Sequence, residues 1–99
     1  MPWFTVIYPN RPDAKFDFDY YRHHHVPLAA LRLGYHMEIL RGVNSPDGAA
    51  PPYLYMSRIW VDDATAFLER IAPFIDELNA DRAKYTNIEP VTQFAVQIE

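Results

Sequence analysis

The stretch Phe16-Asp17-Phe18-Asp19-Tyr20-Tyr21-Arg22-His23-His24-His25-Val26-Pro27-Leu28 constrains this chain more than any other. It opens as a helix. Asp17 is placed to act as N-cap, and Phe16 and Tyr21 stand where a hydrophobic staple closes the first turn. At ~100° per residue, Tyr21 and Leu28 nearly superimpose. His24 flanks that seam on one side, and His25 and Phe18 flank it on the other. His23, Arg22 and Asp19 turn away. An apolar face with two imidazoles and a phenol carries more polar chemistry than a core requires. Pro27 sits inside the same helix and has no N–H for the carbonyl of His23, so the helix has to bend there.

The flanking segments fall into a simple order. Trp3 to Tyr8 is β-branched and aromatic, and the Pro9–Asp13 segment stops it, which predicts a first strand. The His-bearing helix runs to about Leu33, with Gly34 as a left-handed exit. A second strand is expected over His36–Val43, then a loop over 44–52 in which Ser45-Pro46-Asp47-Gly48 fits a type I turn. Tyr53–Trp60 is the clearest strand, and the two should pair as an antiparallel hairpin. Asp62 or Asp63 caps a second helix whose stripe is Phe67, Ile71, Ile75 and Leu78, with a kink or break at Pro73, near Ala72. A connector over Tyr85–Pro90 leads to a last strand, Val91–Ile98. The order βαββαβ with right-handed crossovers predicts one α+β domain over 1–99, of ferredoxin-like topology: a four-stranded antiparallel sheet with two helices on one face.

The strands do not alternate cleanly between apolar and polar. Trp3 and Ile7 oppose Phe4, Val6 and Tyr8, while Tyr53, Tyr55 and Ile59 oppose Leu54, Met56 and Trp60. Both faces of the sheet are therefore rich in large side chains, and 15% of the 99 residues are aromatic. In so short a chain the bare face needs a second copy to cover it, which predicts a two-fold homodimer through the open sheet face. The net charge of −4 comes without clustered Lys and Arg, which speaks against a nucleic-acid partner. There is no cysteine, which rules out disulfides and thiolate chemistry and fits a reducing compartment. No apolar run approaches a membrane span and Trp3–Tyr8 is too short for a signal peptide, so a cytoplasmic protein without a membrane partner is expected.

Tyr21-x-x-x-His25-x-Pro27-Leu28 resembles the Tyr-x-x-x-His-x-Pro-Leu signature of the EthD family, within the dimeric α/β-barrel superfamily. The resemblance extends to Tyr8-Pro9-Asn10, to Phe16-Asp17, to Pro52-Tyr53 and to Tyr85-Thr86-Asn87-Ile88-Glu89-Pro90, and so spans nearly the whole chain. It implies a ferredoxin-like subunit, a barrel-forming dimer and a pocket between helices and sheet. The family is named for its association with ethyl tert-butyl ether breakdown. Relatives that tailor aromatic polyketides act as cofactor-free dehydratases or oxygenases. His25 and Tyr21 fall on the family's His and Tyr, whereas His23 and His24 lie outside the pattern.

His25 is the candidate general acid or base, because imidazole titrates near neutral pH and a closed pocket tunes it. Tyr21, one turn earlier, can donate to it or to a substrate oxygen. A structural reading stands beside this one, in which His25 caps the carbonyl freed by Pro27. His24 is a second candidate donor to the substrate, and Arg58, Tyr55 and Trp60 are further substrate-binding candidates. Arg58, in register with Met56 and Trp60, needs an anion, either Glu38 or an acidic ligand. Tyr55 and Ser57 line either the pocket or the dimer seam, and Trp60 also has a core reading.

Three consecutive helical histidines diverge and cannot converge on one ion, so no metal is expected. No glycine-rich phosphate loop or Gly-x-Ser-x-Gly elbow is present, and no cofactor is expected. The leading expectation is a small cofactor-independent enzyme (oxidoreductase, oxygenase or dehydratase) acting on a hydrophobic or aromatic oxygenated metabolite. The alternative is a module that binds such a metabolite for a partner oxygenase. A purely structural dimer with a filled pocket is the third reading.

Overall fold

The computed structural model describes residues 2–98, and the side chains among them except those at 30–33. Strands β1 (Trp3–Pro9), β2 (Met37–Arg41), β3 (Tyr53–Trp60) and β4 (Val91–Ala95) form one sheet in the order β2-β3-β1-β4. All three pairings are antiparallel. Two helices connect them across one face, as the βαββαβ order predicts. The last strand is shorter than expected. Ala95 already pairs with Trp3 at the start of β1, so 96–98 have no ladder left to join.

The first helix runs over 18–33 in three parts: an α-turn at Phe18–Tyr20, a π-helical stretch at Tyr21–His25, and an α-helix at Val26–Leu33. Asp17 caps it by accepting from the Tyr20 N–H at 3.0 Å, and the Phe16 and Tyr21 rings meet at 5.3 Å to form the staple. Pro27 cannot supply an α-helical N–H, and the helix widens just before it. The Val26 N–H reaches the Tyr21 carbonyl, five residues back. Each residue in that wide stretch advances less than the ~100° of an α-helix. His24 therefore falls further from the Tyr21 seam than a uniform wheel places it, while His25 stays beside it. Gly34 ends the helix at φ +68°.

The second helix spans 64–82. Asp63 caps it by accepting from the Ala66 N–H at 3.2 Å. Pro73 falls in a 3-10 turn over Ala72–Phe74 that joins Ala64–Ile71 to Ile75–Arg82, which is the interruption expected near Ala72. The connector after it is tied to the start of the first helix. The Asp17 N–H donates to the Tyr85 carbonyl at 2.7 Å, and the Thr86 hydroxyl donates to the Lys15 carbonyl at 2.6 Å.

Between helices and sheet the core divides in two. One half is a phenol cluster of Tyr8, Tyr21, Tyr55 and Tyr85 with Ile88. The other is Ile59, Val61 and Phe67, joined by Phe4, Tyr35 and Ile71. Among the described residues, the opposite face of the sheet carries no helix. There Leu40, Met56 and Val91 are 55%, 37% and 57% exposed.

Candidate active site

The stripe seals against the sheet at Phe67, which packs on Phe4. Ile71, Ile75 and Leu78 stand off from Val6 and Tyr8 of β1 and leave a cavity of about 390 Å³, within the size range of small-molecule sites. His25 and Tyr85 close one part of the wall, and Asn79, Arg82, Glu89 and Thr92 supply polar groups.

His25 reaches this wall because of the π-stretch, and a carboxylate holds it. Its Nδ1 lies 2.8 Å from Oδ2 of Asp81, with the two side chains 13% and 10% exposed. Oδ1 of Asp81 accepts from the Tyr20 hydroxyl at 2.7 Å. Burial pushes the Asp81 carboxyl up. The hydrogen bonds from Tyr20 and His25, with the charges of His25 and Lys84, outweigh it and hold the group below its ordinary value. An ionised carboxylate only accepts, so Nδ1 must carry the proton of the neutral ring. The Nε2 lone pair is then what His25 offers a ligand. Burial also pushes His25 below the ordinary imidazole value of 6.5, against the opposing pull of Asp81. At neutral pH the ring is uncharged and able to take a proton.

Two phenols complete the floor. The hydroxyls of Tyr8 and Tyr85 lie 2.6 Å apart. Burial raises both above the ordinary phenol value, so both keep their protons. A pair of phenols uses one proton between them. The second is available to an oxygen in the cavity.

Of the six catalytic and substrate-binding candidates read from the sequence, His25 is the one that lines this cavity. Tyr21 is 2% exposed, with Ser57 beside its hydroxyl. It touches His25 only through stacked rings at 5.6 Å and 17°, so the hydrogen bond that orients the imidazole comes from Asp81 and not from Tyr21. His24 is exposed on the outer side of the first helix, stacked on Tyr20 at 4.8 Å. Tyr55 is buried on the helix-bearing face, its ring 4.6 Å from that of Tyr21, and is a core residue. Ser57 is buried with it.

Arg58 and Trp60 belong to the other face. Arg58 pairs with Glu38 at 2.6 Å, the structural partner expected for it, and its guanidinium covers Trp3 at 4.3 Å. Trp60 packs edge-on against Trp3 at 4.2 Å. Register parity is the reason: residues 58 and 60 share one face, and buried Tyr55, Ser57 and Ile59 share the face under the helices. The structural reading of His25 is also displaced, because its Nδ1 goes to a carboxylate rather than to the backbone.

Asp81 and Arg82 went unread in the sequence, and Tyr8, Tyr20 and Tyr85 were read as strand, helix and connector residues without a role in the site. Asp81 had a signal. It follows Leu78 by three residues and so continues the Phe67–Ile71–Leu78 stripe, which puts a carboxylate on an apolar face. Among the described residues no group of three or more His, Cys, Asp or Glu is placed to hold a metal.

Fold and site together define a class: an α+β ferredoxin-like subunit with a helix–sheet cavity walled in part by a His–Asp pair. Similar solved structures narrow it. An EthD-like protein from Ralstonia eutropha JMP134 matches with a TM-score of 0.88 and 32% identity over 95% of this chain and 88% of that one. An ethyl tert-butyl ether D (EthD) family protein from Bacillus halodurans C-125 shares the fold at a TM-score of 0.76 and 20% identity, over 99% of both chains. HapK from Hahella chejuensis shares it more distantly, with a TM-score of 0.53 and 18% identity over 96% of this chain and 92% of that one. No family model matches the chain, and no curated protein matches it. The chain belongs to the EthD-like family.

Proposed function

We propose that the chain is a cofactor-independent enzyme in which His25 acts as general base on a hydrophobic or aromatic oxygenated metabolite. The ring system of the substrate packs against Ile71, Ile75 and Leu78. Nε2 of His25 takes a proton from a carbon beside a carbonyl, and the electron pair moves onto the carbonyl oxygen. The spare phenolic proton of the Tyr8–Tyr85 pair donates to that oxygen, and Asp81 steadies the imidazolium that forms. Return of the proton to another carbon gives isomerisation, delivery to a leaving hydroxyl gives dehydration, and capture of the carbanion by O₂ gives oxygenation. The substrate decides among them.

One observation carries this reading: the Nδ1–Asp81 contact at 2.8 Å on a ring that lines the cavity. It is the arrangement that fixes the tautomer of a catalytic base. A binding-only site has no need of it. We propose further that two copies pack through the bare sheet faces. A few hundred Å² of apolar burial per subunit contributes roughly 10 kcal/mol before the cost of association.

The test is exchange of the α-protons of an aryl ketone such as 1-indanone in D₂O, followed by NMR. Wild type should accelerate exchange, and a folded His25→Gln variant should fall to the buffer rate. A wild-type rate no higher than that of His25→Gln sinks the reading and leaves a cavity that binds without reacting.

A further inference from the structure

The cavity wall holds a cation that the proposed proton transfer leaves unused. Arg82 is partly buried and lines the same cavity as His25, Tyr8 and Tyr85. Its charge is felt at all three, since it helps to lower His25 and opposes the rise of both phenols. Among the described residues no carboxylate lies within ion-pair distance of it. Its neighbour Asp81 is committed to Tyr20 and His25. Glu89 shares the wall without meeting Arg82. A partly buried arginine beside an apolar wall has a guanidinium that nothing in the described residues accepts from, and its planar fork suits a carboxylate or an enolate.

We infer that Arg82 is the specificity-determining residue of the cavity and that the ligand is a hydrophobic anion. Its acidic oxygen sits on the guanidinium, and its ring system lies on the Ile71–Ile75–Leu78 wall. The inference rests on the cavity being a ligand site, as proposed above, and narrows its ligand to aromatic acids and to carbonyl compounds that pass through an enolate. In the second case the charge that develops when His25 takes the proton is met by Arg82. Acidic oxygen and base then share one wall.

Binding without turnover tests this. Calorimetry of the full chain at neutral pH compares 2-naphthoate with 2-naphthamide, which has the same shape and no charge. Wild type should prefer the acid by about tenfold or more, the scale of a charge-assisted pair. Arg82→Met should bring the two within about twofold. Arg82→Lys should keep part of the preference, having the charge without the fork, and serves also if the Met variant does not fold. Equal affinity of wild type for acid and amide overturns the inference, as does no binding of the acid, or a preference that survives in Arg82→Met. None of these outcomes depends on His25. The indanone exchange reads that residue separately, so the two proposals fail independently.

Discussion

Replacing Asp81 by Asn changes one atom in the site and reverses the polarity of a hydrogen bond. In the native protein both carboxylate oxygens accept, one from Tyr20 at 2.7 Å and one from His25 at 2.8 Å. The amide keeps its shape, and the Lys84 ammonium, 4.0 Å from the Oδ1 position, keeps its oxygen on the Tyr20 side, where it still accepts from the hydroxyl. Toward His25 it now presents an NH₂. Two donors cannot face each other, so Nδ1 must give up its proton and Nε2 must carry it. The nitrogen offered to the cavity then donates instead of accepting, and base catalysis is lost although the ring has not moved. The same exchange in the serine-protease triad costs about 10⁴ in turnover, which sets the expected scale.

The stability change is smaller. Two charge-assisted bonds become neutral ones at about 1 kcal/mol each, so Asp81→Asn should cost about 2 kcal/mol. That is roughly 8–16 °C in Tm for a domain of this length. Asp81→Ala, which leaves the imidazole N–H without its acceptor while the Tyr20 hydroxyl can turn to water, should cost more than Asp81→Asn. The decisive assay is ¹⁵N NMR of the imidazole at neutral pH. Wild type should show Nδ1 protonated and Nε2 bare, Asp81→Asn should show the reverse, and indanone exchange should collapse with the switch. Protonated Nε2 in the native protein would refute the reasoning, as would an exchange rate unchanged in a folded Asp81→Asn.

Further expectations concern the pH dependence, the core and the bare sheet face. His25 titrates below its ordinary 6.5 in the fold, so the unfolded chain binds more protons as pH drops through that value. Its contribution to stability should then fall from about pH 6.5 downward in denaturant titrations of wild type, and fall less in His25→Gln. The acid limb of the exchange rate should have its midpoint below 6.5. Asp81 is depressed and acts at lower pH, where protonation from about 3.8 downward through its folded value removes its contribution. Phe67 is fully buried against Phe4 at 4.8 Å and Phe94 at 6.1 Å, so Phe67→Ala should cost about 3 kcal/mol by urea unfolding. On the bare sheet face, Met56→Lys should leave the fold intact and abolish self-association in sedimentation at micromolar concentration. A wild type that sediments as monomer there refutes the proposed sheet-to-sheet dimer.

The fold was legible because its signals are local. Asp17 as cap, Phe16 and Tyr21 as staple, Gly34 as exit, Pro73 as interruption and Asp63 as cap each act within a turn of their own position. Strand alternation then fixed which side chains share a face. It did not say which face the helices cover, and so Arg58 and Trp60 were drawn toward a cavity that lies on the other side of the sheet from them. The site was only half legible for a different reason. A wheel of constant pitch assumes that no residue is added to a turn, whereas Pro27 makes the helix take one in. The π-stretch swings His24 out to solvent and leaves His25 beside Tyr21.

The partner that gives His25 its direction is 56 residues away, on a helical turn (Asn79-Ala80-Asp81-Arg82) that reads as a solvated polar face. Only the continuation of the Leu78 stripe marks Asp81 as an inward residue. Asp81 and Arg82 are neighbours in the chain with opposite tasks. One is directed at the first helix to set the tautomer of the base, and the other lines the cavity as a charge with no ion-pair partner among the described residues. A helix whose successive residues diverge by ~100° is what lets one turn serve both. It also ties them together: any shift of the second helix that moves Arg82 from the cavity also pulls Asp81 from His25.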